Sequence, residues 1–208
     1  MAHTVGRLDL GSTALAGLAG AAISMGLIQL LAEPLEQVAT VDVQELAVQT
    51  TVLAAPLIVC LLLLLRDGPH MVRQGARLAD RQPRWLRQLW LAQAWPVSLN
   101  MMALVPYVLA AALAAAMATR PELDTISDLS LLVGSLNPLM LGFGLVKTVL
   151  FALATLWITV QQGARAARRG LPSTTGLSRA ITITLAVLLV LNLAWALTAD
   201  ALISNVGR

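Results

Sequence analysis

Charge is scarce in this sequence, and so are cysteine, histidine and aromatic side chains. Charged residues make up 12% of the 208, about half the share usual in a soluble domain. With 58% hydrophobic residues and a mean hydropathy of +0.78, the chain cannot be an ordinary water-soluble domain; lipid is the solvent for most of it. The single cysteine, Cys60, lies inside an apolar run, which excludes an internal disulfide, a cysteine-based metal cluster and dithiol redox chemistry. His3 sits in the N-terminal tail and His70 in a basic stretch, neither near a carboxylate pair at ligand spacing, so no metal or nucleophile centre is expected. Aromatics are only 4%, and the Ala- and Leu-rich remainder suits helices packed in a bilayer. The sequence pI of about 10.0 does not call for nucleic acid, because the arginines fall in the gaps between apolar runs, where the positive-inside rule accounts for them.

A helix needs about 20 apolar residues to cross the hydrocarbon core. Five runs qualify: 12–32, 46–65, 95–117, 135–160 and 180–199. No barrel-type alternation appears, and unpaired backbone groups are prohibitively costly in lipid, so each run is expected to be helical. The first run is too long for the apolar part of a signal peptide, and Leu30-Leu31-Ala32 lacks the small residue a cleavage site needs; it reads as a retained span. The expected class is therefore an all-α integral membrane protein of five transmembrane helices forming a single domain.

The gaps set the orientation. Arg66, Arg73, Arg77, Arg81, Arg84 and Arg87 fall between runs two and three, and Arg165, Arg168, Arg169 and Arg179 between runs four and five. Glu33, Glu36, Asp42 and Glu45 fall between runs one and two, and Glu122, Asp124 and Asp128 between runs three and four, with Arg120 the only basic residue in either gap. Including the termini, one side collects eleven basic and three acidic residues, the other two basic and eight acidic. An N-in, C-out arrangement follows.

Three local patterns stand out. Ser12, Ala16, Gly20 and Ser24 recur every four residues, a stripe that lets another helix approach closely, within the bundle or across a subunit interface. Pro96, Asn100 and Pro106 interrupt the third run, where irregular backbone either kinks the helix or lines a cavity. Residues 66–90 combine a helix-compatible stretch from Val72 to Asp80 with Pro83, Trp85, Leu89 and Trp90. They describe an amphipathic cytoplasmic segment, either a solvated loop with aromatic anchors or a docking element for a partner.

Lys147 lies near the middle of the fourth run, where insertion of a lysine costs about 2.5–3.5 kcal/mol. Such a group faces a cavity, a headgroup or an internal polar partner. Gly142, Gly144, Lys147 and Thr148 superficially suggest a phosphate loop, but Val146 rather than glycine precedes the lysine, so the chain is not expected to hydrolyse ATP.

The segment Leu145-Val-Lys147-Thr148-Val-Leu-Phe151-Ala, then Gly163, then Gly176-Leu-Ser-Arg179-Ala-Ile-Thr182, resembles the end of MlaE/YrbE-type permeases, the membrane subunits of MCE-associated lipid ABC transporters. Upstream, Pro56, Arg66 and Gly68 fall at that family's Gly-Pro and Gly-Arg-Ala-Gly positions. The resemblance implies a dimeric permease in the bacterial inner membrane that moves phospholipid or another lipid. Its implied partners are a cytoplasmic ABC ATPase, which holds the ATP and Mg, and an MCE-domain protein outside. It makes Arg66, Gly68, Arg73, Arg77 and Arg81 an ATPase-coupling loop, and Lys147, with Asn100 and Asn192, the polar set for substrate or internal contacts. The family's Arg-Glu before Gly-Pro stands here as Val52-Leu53, its last-span Asp as Asn192, and its acidic coupling run as Arg77-Leu-Ala-Asp80-Arg-Gln-Pro83-Arg.

Overall fold

The computed structural model describes residues 10–36, 43–79, 83–118 and 138–206. These form five α-helices: α1 (Leu10–Glu36), α2 (Val43–Arg77), α3 (Pro83–Ala118), α4 (Pro138–Arg168) and α5 (Ser173–Val206). All five are long and apolar enough to cross a membrane, and each covers the described part of one of the five apolar runs; residues 135–137 of the fourth run lie outside the described residues.

The helices outlast their apolar runs. At about 1.5 Å per residue, α2 and α3 each reach about 50 Å, well beyond a hydrocarbon core of about 30 Å. The segment expected as a separate amphipathic element is therefore divided between two helix ends. Arg66–Arg77 is the last third of α2 and Trp85–Trp90 belongs to the first turns of α3. Gly68-Pro69 reads locally as a helix stop, yet α2 passes through it. A helix satisfies its own backbone in lipid and in water alike, so nothing obliges it to end where the apolar run does. Likewise α3 is helical through both Pro96 and Pro106.

The turn between α4 and α5 is short because its residues specify it. Gly170 takes a positive φ of 66°; the Leu171 amide donates to the Ala166 carbonyl and the Gly170 amide to that of Ala167, both at 2.9 Å. This is a Schellman closure with glycine at the left-handed position. Pro172 follows, and its carbonyl accepts from the Thr175 amide at 3.1 Å as α5 begins. The gap expected over residues 161–179 shrinks accordingly to a few residues, between Arg168 and Ser173.

The described residues fall into two compact units. One, the lysine-bearing unit, contains α1, the N-terminal part of α2, the C-terminal part of α3 and the start of α4 as far as Thr148. Its core joins Ile28 of α1, Ala47, Val48 and Val52 of α2 and Ala116 of α3. Ser12, Ala16, Gly20 and Ser24 are all buried. A Cβ on Gly20 would collide with the Val108 carbonyl, Gly17 faces the Ala111 Cβ, and the Ser24 hydroxyl donates to the Ala112 carbonyl at 3.2 Å. The stripe thus serves α1–α3 packing within the chain, and α1 and α3 run in the same direction.

The arginine-bearing unit contains the C-terminal part of α2, the N-terminal part of α3, the rest of α4 and α5. Here α2 and α4 cross at reciprocal glycines: a Cβ on Gly75 would strike the Val160 carbonyl, and one on Gly163 the Val72 carbonyl. Arg168 Nε donates to the Ala79 carbonyl at 2.7 Å, closing the end of α2, so these two helices also run in the same direction. The buried hydroxyls of Thr155 and Thr159 donate to the carbonyls of Phe151 and Thr155, four residues back. They are satisfied without leaving their own helix.

Candidate functional site

In the lysine-bearing unit the polar centre is Lys147, which is 5% exposed. Its Nζ donates to the Leu53 carbonyl of α2 at 3.2 Å. That carbonyl neighbours the one at Val52, which loses its intrahelical donor because Pro56, four residues on, has no N–H. One residue beyond the lysine, the Thr148 hydroxyl donates to the Gly144 carbonyl at 2.8 Å, and Cys60 Sγ approaches the Thr148 carbonyl at 4.0 Å. The Lys147–Thr148 step is thus fastened to α2 at Leu53 and at Cys60. Gly142–Thr148 is helical and forms no phosphate-cradling loop. Asn100, half-buried, belongs to the same unit, whereas Asn192, also half-buried, belongs to the other. The three residues expected to form one polar set are therefore divided between the units.

The residues expected to form a coupling loop lie on a helix. Arg66, Arg73 and Arg77 are exposed along α2, and Arg81 lies outside the described residues. Gly68 is buried rather than loop-like, with the Leu177 side chain 3.3 Å from where a Cβ would stand. Arg66 Nε lies 4.0 Å from Asp67 Oδ1; Asp67 itself is only 6% exposed.

Most motif residues behind the family resemblance serve packing. Pro56 is buried, and Thr148 and Phe151 are almost fully so. Gly163 admits the α2 backbone, and a Cβ on Gly176 would stand 3.0 Å from the Ala166 Cβ. Arg179 and Thr182 are exposed at the start of α5, where the Thr182 hydroxyl donates to the Ser178 carbonyl.

Two features of the arginine-bearing unit escaped the sequence reading. The first is a side-chain chain: Gln93 Nε2 donates to Gln74 Oε1 at 2.8 Å, and Gln74 Nε2 lies 2.9 Å from His70 Nε2, which accepts in the tautomer protonated at Nδ1. Gln93 Oε1 is buried without a hydrogen-bond partner. The four-residue spacing of His70 and Gln74 was a legible sign of shared helix face; the link to Gln93 was not. The second is a groove of about 440 Å³ lined by Arg87, Trp90, Leu153, Ala154 and Trp157. Trp90 Nε1 donates to the Leu153 carbonyl at 3.2 Å, and the two indoles meet edge to face at 5.8 Å. Among the described residues no group of three or more His, Cys, Asp or Glu could hold a metal ion.

By helix length and composition the chain belongs to the class of multi-pass membrane proteins. No family model matches it, no curated protein is significantly similar to it, and no solved structure matches it.

Proposed function

We propose that the chain is the membrane permease subunit of an ATP-driven lipid transporter in a bacterial inner membrane. In this reading it works as a dimer with a cytoplasmic ABC ATPase and exchanges phospholipid with an MCE-domain protein outside. The observation that carries the reading is a buried cation in the middle of an apolar span, Lys147, inside the segment that resembles MlaE/YrbE permeases. A lysine at that depth is expensive to insert and is ordinarily kept for function. The N-in orientation follows from the charge division. The parallel pairs α1/α3 and α2/α4 support alternating crossings. The exposed Arg66, Arg73 and Arg77 on the extension of α2 would then face the ATPase, which supplies the hydrolysis.

The test is purification of the chain with its neighbouring gene products, followed by lipid-dependent ATP turnover in vesicles. Charge-reversing changes at Arg73 and Arg77 should abolish ATPase association. If such variants still bind the ATPase and support turnover, α2 is not the coupling element and the reading fails.

One observation favours a second reading, a non-transporting subunit that completes a heterodimer with a fuller permease. Lys147 is engaged with the Leu53 carbonyl, which suits a structural tether as well as a headgroup contact, and the acidic coupling run of the resembling family has no counterpart here. Lipid transfer by this chain as a homodimer with the ATPase would eliminate that alternative.

A further inference from the structure

The groove between α3 and α4 in the arginine-bearing unit has walls that do not depend on a ligand. Trp90 is held by its bond to the Leu153 carbonyl, and Trp157 packs against it at 74°, so the two rings stand in a fixed relation. Leu153 and Ala154 add to the apolar lining, and the single charged liner among the described residues is Arg87. An apolar slot with one guanidinium suits a molecule with hydrocarbon at one end and an anion at the other. The planar fork of arginine binds a phosphate through two parallel N–H donors.

The position along α3 narrows the occupant. Arg84, Trp85, Arg87 and Trp90 alternate cation and indole, with Trp95 following, and Trp85 and Trp95 are exposed, the latter at 72%. Tryptophans of this kind mark the level of lipid headgroups, and basic residues beside them meet the anionic surface of a leaflet. A soluble ligand of the same volume would need several polar groups to orient it, and among the described residues Arg87 is the only charged one lining this groove.

We propose that this groove is a binding site for an anionic phospholipid. The phosphate pairs with Arg87, and the first part of an acyl chain lies along Trp90, Leu153 and Trp157. The site requires no transport activity and no ATPase, so it stands or falls separately from the permease reading.

The test uses the full chain in phosphatidylcholine vesicles, with Trp85, Trp95 and Trp195 changed to Phe so that Trp90 and Trp157 report alone. A minor fraction of brominated phosphatidylglycerol, or of brominated phosphatidylcholine, serves as quencher. Quenching should be stronger with the anionic lipid, and Arg87→Gln should lower the apparent affinity for it about fivefold, the worth of one basic residue at an anionic surface. Ala154→Leu, which fills the groove and keeps Arg87, should remove the preference as well. Equal quenching by the two lipids in the parent chain would overturn the proposal whether or not the variants fold. A preference that survives Arg87→Gln would do the same, and relief of the quenching by inorganic phosphate would make this a free-anion site instead.

Discussion

Where α1 meets α3 in the lysine-bearing unit, Gly20 lies against the Val108 backbone and one hydroxyl, that of Ser24, reaches a carbonyl. Where α2 meets α4 in the arginine-bearing unit, two glycines receive each other's neighbouring backbone, and an arginine closes the end of the crossing. In the first unit Lys147, Ser24 and Cys60 reach across to backbone carbonyls, those of Leu53, Ala112 and Thr148. The second adds a side-chain to side-chain link between Gln74 and Gln93. Helices in lipid gain nothing from hiding apolar surface from one another, so close packing and hydrogen bonds must hold them. Both units use close packing through glycine. The arginine-bearing unit also spends the amide side chains of Gln74 and Gln93 on the task, and the lysine-bearing unit buries Lys147.

The largest expected effect tests the glycine crossings. Gly163→Leu forces a side chain into the Val72 backbone, which cannot retract as a flexible side chain could, and should destabilise the protein by about 2–3 kcal/mol in a detergent-denaturation titration followed by helicity. Gly20→Leu should do comparable damage in the other unit. Gly142→Leu, where nothing lies within 4 Å of the added Cβ, serves as the control. A Gly163→Leu variant no less stable than that control would remove the crossing from the account.

A smaller effect, of opposite sign, separates the units. Lys147→Met deletes the bond to Leu53 but also the cost of placing a cation in an apolar span, so stability should hold or rise by about 1 kcal/mol in the same titration. Under the permease reading this variant loses lipid transfer while remaining folded. A clear loss of stability would instead make Lys147 principally a tether, as the second reading has it.

The smallest effect compares one bond from each unit. Ser24→Ala removes the hydroxyl donated to Ala112, and Trp90→Phe the indole donor to Leu153. A hydrogen bond between membrane helices is worth about 0.6 kcal/mol on average, so Ser24→Ala should cost about that much. Trp90→Phe should cost more, because it also alters the ring pair with Trp157. Equal losses would mean that the indole pair adds nothing beyond its hydrogen bond.

Much of this was legible in the residues. The runs around Ala16, Val59, Ala112, Phe151 and Leu188 each became a helix, because a long apolar stretch has no other way to satisfy its backbone in lipid. The buried state of Lys147 followed from its depth in the fourth run. The segment between runs two and three misled: residues 66–77 continue α2 and 83–90 open α3, because a helix satisfies its own backbone in water as well as in lipid. The placement of Asn100 and Asn192 in different units was also out of reach, since depth along a span says nothing about which neighbours a helix face meets.

Helix number, apolar length and the division of charge are one-dimensional properties, set by the solvent each stretch of chain requires. They were complete before any helix found a neighbour. The partner of Lys147, the reciprocal seats of Gly75 and Gly163 and the indole-walled groove beside Arg87 each join residues tens of positions apart on different helices. In a bundle where lipid is as good a neighbour as another helix, only the packing itself could decide them.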